Sequence, residues 1–85
     1  MFLVELSSKS KQFLKKVDSK LRNRILQKIK LLKINPVLSD SKKIIGDSSV
    51  FRIRVGNYRI LYEIKWSEKI ILIVIIDKRS RVYNR

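Results

Sequence analysis

Phe51-Arg52-Ile53-Arg54-Val55-Gly56-Asn57-Tyr58-Arg59-Ile60-Leu61-Tyr62 is the stretch that decides the fold. Phe51, Ile53 and Val55 alternate with Arg52 and Arg54, and Tyr58, Ile60 and Tyr62 alternate with Arg59 and Leu61. A period of two is the pattern of a strand with one buried face. Gly56-Asn57 between the two runs predicts a two-residue hairpin turn of type II′ or I′. That loop length pairs Val55 with Tyr58, Arg54 with Arg59, Ile53 with Ile60, Arg52 with Leu61 and Phe51 with Tyr62. The apolar pairs then share one face, and Arg52, Arg54 and Arg59 share the other. Like charges directly opposite on a sheet cost up to about 1 kcal/mol, and an anion between them reverses the sign. Guanidinium forks match phosphate oxygens bidentately and keep their charge at any working pH. The competing reading is an ordinary solvated face, with Glu63 diagonally near as partial compensation.

Before the hairpin, Phe2 to Leu6 reads as a first strand. Ser7 or Ser8 caps a helix over roughly Lys9 to Val17, with Phe13, Leu14 and Val17 on one face. Asp18 or Ser19 caps a second helix, about Lys20 to Ile34, whose apolar stripe is Leu21, Ile25, Ile29 and Leu32. Asn35-Pro36 ends it, because the residue before proline avoids helical dihedrals. Val37 to Asp47 reads as a polar connection containing Lys42 and Lys43. After the hairpin, a turn around Lys65 to Glu68 leads into Ile70-Ile71-Leu72-Ile73-Val74-Ile75-Ile76, apolar on both faces as a central strand is. Asp77 to Tyr83 reads as a loop and a short strand or tail. A neighbouring strand would carry Arg79 and Tyr83 to the edge of the arginine face. There Tyr83 could stack on a base, or simply close the end of the sheet. The order β-α-α-β-β-β predicts one α+β domain over residues 1–85. Its two N-terminal helices should pack on one face of a mostly antiparallel, four- to five-stranded sheet.

The chain carries 21 Lys+Arg against 7 Asp+Glu, a net charge of +14. Such an excess on 85 residues calls for a polyanionic partner. Codon bias accounts for lysines better than for the arginines, most of which stand at position 52 or later. There is no cysteine and no histidine. That removes disulfides, thiolates, the usual neutral-pH base and the commonest metal ligand. The scattered carboxylates offer no metal-ligand spacing, so neither metal nor cofactor is expected. No apolar run reaches the ~20 residues of a membrane helix. With no secretory leader read at the start, a reducing cytoplasm is the expected location.

Phe51 to Glu63, together with Lys78-Arg79-Ser80-Arg81-Val82-Tyr83, resembles the RelE/ParE toxin superfamily of toxin–antitoxin systems. The likeness extends over nearly the whole chain: strand-helix-helix opening, Asn-Pro stop, basic hairpin and Val-Tyr tail. It implies a toxin that cleaves mRNA in the ribosomal 30S A site without a metal. A ribose 2′-OH would attack the neighbouring phosphate. On this resemblance Arg59 and Arg79 clamp the scissile phosphate, Arg52 and Arg54 hold flanking charge, and Tyr83 orients the nucleotide. Lys78, Arg81 and Lys43 would add RNA contacts. The resemblance also implies a hetero-oligomer with a cognate antitoxin that wraps the basic domain. The apolar Ile70–Ile76 strand and the grooves near the helices should form part of that contact, because there is more apolar surface than one helical layer covers. Lys78 stands where many relatives carry histidine, and the first-strand pair is Arg/Arg rather than Lys/Lys. Proton transfer is then open between Lys78, Glu63, Tyr83 and a ribosomal group. Two alternatives remain: a ParE-like inhibitor of DNA gyrase, and a nucleic-acid-binding relative without catalysis.

Overall fold

In a computed structural model of the chain, described over residues 1–44, 46 and 49–78, the helices begin where short polar side chains cap them. The Ser7 hydroxyl accepts from the Ser10 amide ahead of α1 (Ser8–Lys16), and the Asp18 carboxylate accepts from the Leu21 amide ahead of α2 (Ser19–Ile34). Each cap satisfies an amide that the first helical turn leaves without a partner. Arg22 closes the other end of α1: Nε donates to the Leu14 carbonyl (2.7 Å) and Nη2 to that of Val17 (2.9 Å).

Five strands complete the fold: β1 (Leu3–Leu6), β2 (Lys42–Lys43), β3 (Val50–Val55), β4 (Tyr58–Lys65) and β5 (Ile70–Lys78). They form one sheet in the order β1-β5-β4-β3-β2, antiparallel except for the parallel β1–β5 pair. The helices carry the chain from β1 at one edge of the sheet to β2 at the other, so β1 and β5 are not joined by a hairpin that would make them antiparallel. The expected α+β architecture is therefore the observed one. Two boundaries move. The polar connection contains the edge strand β2, and β5 runs on through Asp77 and Lys78, which the sequence reading assigned to the closing loop.

The core lies between the helices and one sheet face. Ile25, Ile29 and Leu32 of α2 and Leu14 of α1 meet Phe51, Ile53, Val55, Ile60, Tyr62, Ile64, Ile71, Ile73 and Ile76. Leu21 and Phe13 pack partly buried at its margin. Among the described residues, no helix is long and apolar enough to cross a membrane.

One irregularity matters for the site. Leu61 pairs with Ile75 but Tyr62 with Ile73, so Val74 is an extra residue in β5, a β-bulge. The Ser7 hydroxyl donates to the Val74 carbonyl (2.7 Å) and the buried Ser10 hydroxyl to the Ile73 carbonyl (3.1 Å). Beyond the bulge the alternation is reset. Ile76 rather than Ile75 is buried against the helices, and Asp77 turns to the outer face.

Candidate nucleic-acid interface

The hairpin of β3 and β4 has the register that the two-residue turn demands, from Val55 opposite Tyr58 out to Val50 opposite Glu63. Gly56 has φ +58°, and Asn57 is not at positive φ. Only the type II′ turn has that combination. A side chain at residue 56 would also meet Arg24 of α2, since its Cβ would lie 3.1 Å from both Nη atoms. The backbone of the turn needs glycine, and a Cβ there would in addition push this guanidinium aside by a few tenths of an ångström.

Arg52, Arg54 and Arg59 project from the outer face, away from the helices. They line a groove of about 430 Å³ together with Asp40, Lys42 and Gly56. The three arginines differ in environment. Arg54 is exposed and Arg52 half-buried, while Arg59 retains 6% of its surface, with Nε and Nη1 shielded from solvent. Buried guanidinium is tolerated where an opposite charge stands near. In the sheet register Asp77 stands directly across from Arg59 in β5, as Arg54 does in β3. Arg59 thus sits between a cation and an anion. The carboxylate expected to compensate, Glu63, stands opposite Val50 and Leu72 instead.

Lys43 and Lys78 are not brought to this groove. Lys43 pairs with Phe51 and Lys78 with Tyr58, both on the helix-facing side of the sheet, whereas Lys42 pairs with Arg52 and joins the arginines. Arg79, Arg81 and Tyr83 lie outside the described residues. Lys42, Asp40 and Asp77 were not singled out from sequence. A two-residue strand leaves no periodicity to read, and a β-bulge leaves no signature in a run of isoleucines. Among the described residues, no three of His, Cys, Asp and Glu gather as a metal site requires.

The rim of the groove is tied down through Tyr62. Its hydroxyl donates to the Pro36 carbonyl (2.7 Å) and lies 2.8 Å from Ser41 Oγ, which also accepts from the Leu38 amide (3.0 Å). This network fastens the loop after α2 onto β4. Burial raises the Tyr62 pKa above the usual value; the Ser41 hydrogen bond works against that rise, and the nearby Asp40 charge adds to it.

The model of the ParE toxin of type II toxin–antitoxin systems matches residues 4–83. The chain belongs to this toxin family. Toxin RelE1 of Methanocaldococcus jannaschii is 31% identical over 86 residues, covering 98% of this chain and 96% of its own length. Among solved structures, the archaeal RelE–RelB complex of Pyrococcus horikoshii superposes with a TM-score of 0.84 at 26% identity, over 94% of this chain and 97% of the other. The isolated E. coli RelE toxin, at 18% identity, shares the fold with a TM-score of 0.82 over 99% of this chain and 93% of its own. The protein is therefore a RelE-like toxin of a toxin–antitoxin system. In this RelE-like chain the three arginines of the groove stand on the sheet face opposite the helices.

Proposed function

We propose that this RelE-like toxin is a metal-independent endoribonuclease of the cytoplasm that cleaves mRNA in the ribosomal A site. The convergence of Arg52, Arg54 and Arg59 on one groove carries this reading. When a ribose 2′-OH attacks the adjacent phosphate, negative charge builds on the phosphoryl oxygens. Arg59, already shielded from water, would meet that charge with a preorganised donor set, where an interaction counts for more than in solvent. Arg52 and Arg54 bind the flanking phosphates, with Lys42 beside Arg52. Arg79 and Tyr83 would close the other wall, by the family resemblance. The products are a 2′,3′-cyclic phosphate and a 5′-hydroxyl.

An antitoxin is the second partner. The relatives from Pyrococcus horikoshii and Methanococcus jannaschii were solved as complexes with RelB. Supporting a similar partner here, Ile70, Leu72, Val74 and Ile75 of β5 remain only partly buried, while Ile71, Ile73 and Ile76 are consumed by the core. A +14 domain with such a strand suits an acidic, amphipathic segment.

Primer extension on mRNA from a translating extract tests the enzyme. Cuts within codons are expected for the wild type and their loss for Arg59→Ala. Intact mRNA with inhibited DNA supercoiling would replace the reading by gyrase poisoning. Binding with neither effect would reduce the protein to a nucleic-acid-binding module.

A further inference from the structure

A carboxylate is the wrong group to place in a groove that holds phosphate, since it repels the ligand. Yet Asp40 lines the same groove as Arg52, Arg54 and Arg59. Its structural work is small. Oδ2 pairs with Lys28 Nζ at 3.1 Å, but the Asp40 side chain is 50% exposed, and exposed pairs contribute about 0–1 kcal/mol. Oδ1 has no partner among the described residues. The loop that carries it is nonetheless held in place, because Ser41 next to it and Pro36 before it are both bonded to the Tyr62 hydroxyl. A positioned carboxylate with one unused oxygen, facing guanidiniums across a groove, has the properties of a general base.

We propose that Asp40 is a catalytic residue, the acceptor of the 2′-OH proton. The role rests on the ribonuclease reading above. The phosphodiester bound by Arg59 and Arg54 presents its ribose 2′-OH to Asp40. As the O2′–P bond forms and the P–O5′ bond breaks, the 2′-OH proton passes to the Asp40 carboxylate and water protonates the departing O5′. Asp40 then returns its proton to solvent. No oxidant, metal or further reactant enters. The groups facing Asp40 are Lys28 of α2, Lys42 of β2, Arg52 and Arg54 of β3, and Arg59 and Tyr62 of β4. The groove cations Lys42, Arg52, Arg54 and Arg59 keep the carboxylate near the phosphate that would otherwise repel it, whereas Lys28 pairs with it from outside the groove lining. Glu63, the acidic candidate from sequence, does not line the groove.

The test is single-turnover cleavage of mRNA on purified programmed ribosomes, with toxin in saturating excess and ribosome binding measured alongside. Asp40→Ala is expected to slow cleavage about 100-fold, the low end of general acid–base contributions, with binding unchanged. Added formate should restore part of the rate to Asp40→Ala, and Asp40→Glu should retain more activity than Asp40→Ala. Lys28→Met, which removes the ion pair and leaves the carboxylate, should stay within about twofold of wild type, as expected of an exposed pair. Wild-type rates in Asp40→Ala would overturn the role, and so would an equal loss in Lys28→Met, which would assign the effect to the pair. Formate without effect, together with Asp40→Glu no better than Asp40→Ala, would equally overturn it. A wild type that binds ribosomes but cuts nothing would overturn the ribonuclease reading itself, and this role with it.

Discussion

The two faces of the β3–β4 hairpin are one residue apart in sequence and opposite in physical task. On the inner face, Ile53 opposite Ile60 and Phe51 opposite Tyr62 are removed from water beneath the helices. On the outer face, Arg54 opposite Arg59 holds two like charges side by side. The inner pairs gain free energy from burial. The outer pair loses it unless an anion arrives, and Asp77 supplies only one side of that need. The face that stabilises the protein and the face that does its work are thus separable in principle, because strand geometry points them in opposite directions.

Substitutions on either face can break this separation. Ile60→Ala, at a fully buried position, should lower unfolding free energy by about 2–5 kcal/mol in denaturant titration. Its single-turnover rate while folded should stay near wild type. A large rate loss at that position would show that the faces are not independent. Arg59→Ala should cost about 10²–10³-fold in cleavage at saturating ribosomes, the scale for losing one preorganised charge-stabilising donor. Arg54→Glu is the sharper probe, since its two effects have opposite sign. It should raise stability by up to about 1 kcal/mol by placing a carboxylate opposite Arg59. The same change should reduce cleavage about tenfold or more, since a charged hydrogen bond is worth about 1.5–3 kcal/mol. A loss of stability in Arg54→Glu would mean that the outer face contributes to the fold after all.

Tyr62→Phe gives the smallest effect and belongs to both faces, because its ring is in the core while its hydroxyl holds the groove rim. It should cost about 1 kcal/mol near neutral pH through the lost hydrogen bonds. The folded-state pKa of Tyr62 is raised, so the folded protein keeps the phenol proton that the unfolded chain releases near pH 10. This contribution is fully present below pH about 10 and is lost as pH rises from there through the folded value. Chemical denaturation against pH should show wild type and Tyr62→Phe converging above pH about 10. Parallel curves would deny the hydroxyl its protonation-linked role.

The β5 bulge is where reading from sequence ran out for a definable reason. Strict alternation along Ile71, Ile73, Ile75 and Asp77 would turn Asp77 toward the helices. The extra residue, Val74, instead places it beside Arg59. The carbonyls freed at the bulge are taken by Ser7 and Ser10, more than sixty residues earlier in the chain. No local signal in an isoleucine-rich run can announce that exchange. The same limit applies to Lys42 and Lys43. Which of two adjacent lysines reaches the groove is decided by how a two-residue strand pairs with β3, not by either residue's neighbours.

Local chemistry alone narrowed the caps to Ser7 or Ser8 and to Asp18 or Ser19, and determined the stop at Asn35-Pro36 and the hairpin register that puts Arg52, Arg54 and Arg59 on one face. Each depends on residues within a few positions of one another. The tertiary structure alone decided that Arg59 is buried while Arg54 is exposed, that Asp77 stands beside Arg59 and that Asp40 shares their groove. Burial and charge environment are set by whichever distant strand or loop is packed alongside, and spacing along one strand carries no record of that neighbour.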